Sequence, residues 1–175
     1  MHTDGAVTTQ ASWGSDHQVA AGADLIQFIR FAIGDAQYGV DVMAVREIKG
    51  WSEITHLPQQ PDYMRGVLNL RGIIVPIIDL RCRFGDGQTE STPLHVVIVV
   101  KIDRQIVGLL ADRVLDIVSF DPSQIKPVPN AARGKQPNFL LGIVTVESAM
   151  IALIELSKLL PQPLAVPEEE SPPSE

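Results

Sequence analysis

Apolar residues along this chain alternate with a period of two more often than they recur with the helical period. From Leu25 onward, Leu25, Ile29, Phe31 and Ile33 share one face, which predicts a strand. Gly34-Asp35 supplies a tight turn, and Gln37–Val42 returns as the second arm of a hairpin. Leu94–Ile102 is apolar on both faces, as a central strand is; Asp103-Arg104 turns the chain and Gln105–Leu110 returns. Pro58, Pro61, Pro122, Pro127 and Pro129 mark loops. Helical signals are short. Pro61–Met64 and Ile78–Phe84 each predict a turn or two, and Ile154–Leu160 predicts a terminal short helix stopped by Pro161. The expectation is an all-β chain with minor helix.

Both ends fall outside this pattern. Residues 1–23 are polar and without periodicity, and read as a disordered leader. Residues 161–175 hold PQP, EEE and SPPS, and read as a disordered acidic tail. The expected folded part is 24–160.

Inside it one pattern occurs twice. Gly39 to Ile48 lies over Gly108 to Ile117, with the Gly, the Val, the acid and the Ile in register. Ile54 and Pro58 lie over Ile125 and Pro129, Gly66-Val67-Leu68 over Gly142-Ile143-Val144, and Ile77 to Leu80 over Leu153 to Leu156. The spacing between copies lengthens only in loop-like stretches, where insertion costs least. The repeat predicts two similar five-stranded β-barrels, a first over about 24–86 and a second over about 92–160. Strand exchange between them is allowed. Each half alone has a marginal core, so the pair is expected to fold as one intertwined unit.

Composition narrows the function. Aromatics are 5% of 175 residues, so the core must be mostly Val, Ile and Leu. The net charge of -7 and the lack of a basic stripe argue against nucleic acid. No apolar run reaches the roughly 18 residues of a membrane span, so no direct membrane insertion is expected. The single cysteine, Cys82, reads as an inert thiol. His2, His17, His56 and His95 stand in no metal-ligating spacing, and no nucleophile elbow or phosphate loop is present. Asp79 and Glu155 occupy equivalent positions of the two copies, so each is expected to cap its own short helix rather than form a catalytic pair. Glu47, inside Val45-Arg46-Glu47-Ile48, and Arg71, between two apolar strands, are opposite charges embedded in β segments. Such charges tend to pair, because burying either alone is costly.

At these residues the chain resembles a known family. The run FAIGDAQYGVDVMAVREIKG from Phe31, then MRGVLNLRGIIVPIIDLRCRFG from Met64, resembles the CheW chemotaxis coupling proteins. VVIVVKIDRQIVGLLADRVLDIVSF resembles the family's second half. The resemblance covers about 24–160. It implies two SH3-like five-stranded barrels, no enzymatic activity and no cofactor. It implies two partners, the cytoplasmic tip of a chemoreceptor and the regulatory domain of a CheA-type histidine kinase, with self-association in array rings. It implies a cytoplasmic protein recruited to membrane-associated receptor arrays.

The resemblance places Val45, Glu47, Ile48, Gly66, Asn69, Arg71 and Val114 at the receptor-facing groove, with Glu47 and Arg71 as a functional pair. It places the kinase contact at Tyr38, Gly39, Val40 and Asp41. Two alternatives stand beside this reading. One is an adaptor of a different chemosensory system, such as one governing twitching pili. The other is a small β-barrel enzyme or ligand-binding protein, which predicts a pocket with convergent titratable groups.

Overall fold

The computed structural model describes residues 24–129 and 139–160; the predicted leader and acidic tail lie outside them. The described residues form ten strands. They are β1 (Ile26–Ile33), β2 (Ala36–Asp41), β3 (Val45–Gly50), β4 (Met64–Leu70), β5 (Ile73–Asp79), β6 (Val96–Ile102), β7 (Gln105–Ala111), β8 (Arg113–Phe120), β9 (Leu140–Val146) and β10 (Ala149–Ile154). One four-residue helix, α1 (Leu80–Arg83), follows β5, and 3-10 turns occupy Val42–Ala44, Pro122–Gln124 and Leu156–Lys158.

The strands form two five-stranded sheets, the expected pair of SH3-like barrels. One runs β8, β1, β2, β10, β9 and the other β3, β6, β7, β5, β4. Replacing each strand by its counterpart in the repeat converts the first order into the second. The boundary at 86–92 therefore does not separate the barrels. Hairpin β1–β2 joins the sheet of β8 to β10, and hairpin β6–β7 joins the sheet of β3 to β5. We call the β3–β7 sheet the first barrel and the other the second. The exchange is closed by two equivalent parallel pairings, Gly39 beside Leu153 and Gly108 beside Ile77.

The period of two explains the core. In β6, Val97 and Val99 point into the first barrel, while Ile98, Val100 and Ile102 point away from it. In β1, Phe28 points into the second barrel and Ile29, Phe31 and Ile33 point away. The residues pointing away meet in a third cluster, a seam core shared by both sheets, with Ile78, Leu80, Leu109, Phe139 and Leu159. This is why Leu94–Ile102 reads as apolar on both faces: it lines a barrel on one side and the seam on the other.

Three local expectations change. Pro61–Met64 forms a turn closed by the Met64 amide on the Pro61 carbonyl, at 2.9 Å, and not a helix. Ile78 and Asp79 belong to β5, so α1 is shorter than predicted. The terminal helix reduces to the 3-10 turn Leu156–Lys158.

Gly66 has φ 140°, and a β-carbon there would lie 2.2 Å from the Thr55 carbonyl oxygen. The reason is a two-way amide bridge between Thr55 and Val67, at 2.8 and 2.9 Å, that covers the outer edge of β4. Its counterpart Gly142 lies under the equivalent bridge of Lys126 and Ile143. Gly66→Ala combines a clash with an unfavourable φ and is expected to destabilise by about 2–4 kcal/mol. Urea denaturation checks this; a loss under about 0.5 kcal/mol would show that the bridge yields freely.

Candidate functional site

Glu47 and Arg71 come together as expected. Arg71 Nη2 donates to Glu47 Oε2 at 2.9 Å. Glu47 sits on β3 just after a bulge, and Arg71 opens the two-residue turn between β4 and β5. β3 and β4 end the strand order of the first barrel, so the pair spans the gap where that sheet curls back on itself. The turn places Arg71 at φ 51° and Gly72 at φ 86°. That is the primed geometry matching strand twist in tight hairpins. The Asn69 side chain accepts from the Gly72 amide at 2.8 Å, which fixes the turn. The pair is not buried: the Arg71 side chain is 79% exposed and that of Glu47 26%. Its worth to folding is therefore small, about 0–1 kcal/mol, and Arg71 remains available to a partner.

The other predicted residues divide by exposure. Ile48 is exposed beside Glu47, and Ile73 and Ile74 are exposed on the Arg71 hairpin. Val45 of β3 and its repeat counterpart Val114 of β8 are half-buried, and both pack on the seam core from opposite barrels. Gly66 is buried beneath the Thr55 bridge, where it shapes the strand and offers no side chain. At the predicted kinase contact, Gly39 and Val40 are buried, and the half-buried Tyr38 ring stacks between Phe31 (6.0 Å) and Phe84 (4.9 Å). Burial raises the Tyr38 hydroxyl above its ordinary pKa. Asp41 alone is exposed; its carboxylate accepts from the Met43 amide at 2.9 Å and caps the next turn.

Two ion-pair systems escaped the reading of the sequence. Arg30 holds Asp116 through two hydrogen bonds, of 2.7 and 2.5 Å. Asp116 is the repeat counterpart of Glu47, but the counterpart of Arg71 is Glu147, so the second barrel presents two acids where the first presents an opposite pair. Asp112 is the single residue between β7 and β8 and accepts from the Gly34 amide at 2.7 Å and Arg81 Nη2 at 2.9 Å; His95 Nε2 lies 3.3 Å away. Partial burial pushes its pKa up, but the Gly34 amide and the Arg81 charge outweigh it and hold the carboxyl below its ordinary value. No periodicity marks these partners, because they are far apart in sequence.

The carboxylates and the thiol singled out in the sequence form no catalytic group. Asp79 is fully buried and committed, accepting from the Thr89 amide and hydroxyl at 2.7 Å each and from the Cys82 amide at 3.4 Å. It caps α1 as expected, whereas Glu155 makes no side-chain cap and pairs with Lys158. Burial pushes the Cys82 thiol up, and Asp79 and Asp62 push it further, so it stays protonated. Among the described residues, no three His, Cys, Asp or Glu stand close enough to hold a metal, and no helix is long and apolar enough to cross a membrane.

The family profile described as CheW-like domain matches residues 27–163. The chain belongs to the CheW-like family. It is 44% identical over 133 residues to a probable chemotaxis protein CheW of Rhizobium etli, covering 76% of this chain and 86% of that protein. It is 41% identical over 135 residues to the chemotaxis protein CheW of Rhizobium meliloti, covering 77% and 87%. The crystal structure of the scaffolding protein TtCheW from Thermoanaerobacter tengcongensis superposes with a TM-score of 0.73 at 31% identity, over 83% of this chain and 94% of that one. As a CheW-family chain, the protein is a chemotaxis scaffold and not an enzyme.

Proposed function

We propose that this CheW-family scaffold joins the cytoplasmic tip of a chemoreceptor to the regulatory domain of a CheA-type histidine kinase. It works in the cytoplasm, at membrane-associated receptor arrays. The observation that carries the receptor side is the Glu47–Arg71 pair, with Arg71 largely exposed and Glu47 half-buried, and with exposed Ile48 next along β3 and exposed Ile73 and Ile74 on the Arg71 hairpin, one on each face of it. A receptor tip is a helical hairpin, and exposed apolar side chains close to an accessible charge suit the amphipathic face of a helix. Val45 and Val114 border the same seam from opposite barrels. The kinase contact falls on Asp41 and the accessible edge of Tyr38, with buried Gly39 and Val40 shaping β2 beneath. Self-association in array rings uses the same barrel surfaces. Signal passes as a difference in interface energy between packed states.

A fragment of residues 24–160 is expected to bind both a receptor-tip fragment and the kinase regulatory domain as well as the full chain does. Isothermal titration calorimetry checks this. Binding by the full chain with none by the fragment would move the interfaces into the termini. Binding of neither partner by the full chain would overturn the proposal.

A further inference from the structure

We propose that α1 is a two-armed clamp whose arginines, Arg81 and Arg83, are positioning residues that set the rotation of one barrel against the other. The seam core holds the barrels together, but apolar contact is non-directional and resists separation more than rotation. Polar contacts that cross the seam add direction, because their strength depends on angle.

Two such contacts leave α1. Arg81 reaches Asp112, whose carboxylate also takes the Gly34 amide and whose own amide donates to the Ala32 carbonyl at 3.1 Å. Gly34 and Ala32 belong to the β1–β2 hairpin of the second barrel, while α1 extends β5 of the first. Arg83 Nε donates to the Leu159 carbonyl at 3.1 Å, beyond β10 of the second barrel. Its guanidinium lies 4.1 Å from the Tyr63 ring centroid and 4.5 Å from that of Phe139. Tyr63 leads into β4 and Phe139 into β9, so one cation joins the barrels through two rings. The base of the clamp is fixed by Asp79, the buried cap tied to Thr89.

The repeat shows that a barrel of this kind forms without equivalents of these arms. The counterpart of α1 is the turn Leu156–Lys158. Ser157 in the turn and Leu159 just after it stand where α1 carries Arg81 and Arg83. Among the described residues, the pseudo-symmetric pair of barrels thus holds this clamp on one side of the seam. Its consequence rests on the docking reading above: the clamp fixes the angle at which surfaces on the two barrels are presented together.

The test is relative barrel orientation from amide residual dipolar couplings in the full chain, comparing wild type with Arg81→Gln/Arg83→Gln. Couplings within each barrel are expected to fit the wild-type arrangement. The orientation between barrels is expected to shift by about 10° or more, or to average. Arg83→Lys keeps the charge but loses the planar stacking, and is expected to shift orientation less; it also serves if the double variant does not fold. Binding of each partner fragment alone is expected to hold within about twofold, while receptor-dependent kinase stimulation falls by about tenfold or more. An unchanged inter-barrel orientation in folded variants overturns the clamp. A wild-type chain that binds neither fragment overturns the docking reading instead, and the couplings still decide the clamp.

Discussion

Phe31→Ala is expected to cost about 3–5 kcal/mol and to unfold both barrels in a single transition. Phe31 is fully buried in the seam core. On β1 it lies between Tyr38 of β2 and Val114 of β8. Its ring begins a stack that runs through Tyr38 and Phe84 to Phe139. The seam cluster contains fifteen buried residues, against six inside each barrel. The seam therefore holds more buried apolar residues than the two barrel interiors together, so each barrel alone is expected to have a marginal core. Denaturation followed by Trp51 fluorescence in a Trp13→Phe background reports the first barrel, and the Ile151 methyl resonance reports the second. Two separated midpoints would show that the barrels fold independently and would refute the shared-core account.

Arg71→Glu is expected to leave stability within about 0.5 kcal/mol of wild type, as an exposed pair allows. Receptor-dependent kinase stimulation is expected to fall by about tenfold or more, since like charges then face a surface built for opposite ones. Combining it with Glu47→Arg restores the local pair in reverse and is expected to recover part of the stimulation, a coupling that a double-mutant cycle measures. Full stimulation by the single variant would remove Arg71 from the receptor contact. Glu47→Ala and Arg71→Ala are expected to act in the same direction and more weakly, because removing a charge is milder than reversing it.

Much of the fold is legible in local pattern. Alternation and turn residues locate the two long hairpins, β1–β2 and β6–β7, to within a residue or two. The paired glycines pointed to a repeat, and the structure supplies their reason: Gly66 and Gly142 lie under equivalent bridges, and Gly39 and Gly108 at equivalent parallel crossings. Short helices were harder to read. One turn of helix carries almost no periodic signal, and Pro61–Met64 spends its proline on a turn.

At the candidate site, the pairing of Glu47 with Arg71 was legible from charge and from family resemblance. The exposure of Arg71 is not legible there, because it depends on the tight turn that carries the side chain clear of the half-buried Glu47. Gly39 and Val40 match the family's motif, yet lie beneath the surface that motif suggests.

The order of apolar and polar residues thus determines by itself that this chain makes strands, that it makes them twice over, and that Leu94–Ile102 is apolar on both faces. Each is a property of local pattern, read without knowing any long-range contact. Which hairpin joins which barrel, and that Asp112 meets Gly34 and Arg81 while Arg83 meets Tyr63, Phe139 and Leu159, was decided only by the tertiary structure. Those contacts join residues separated by long stretches of chain, and no local period records a pairing that exists only once both barrels have closed on a common core.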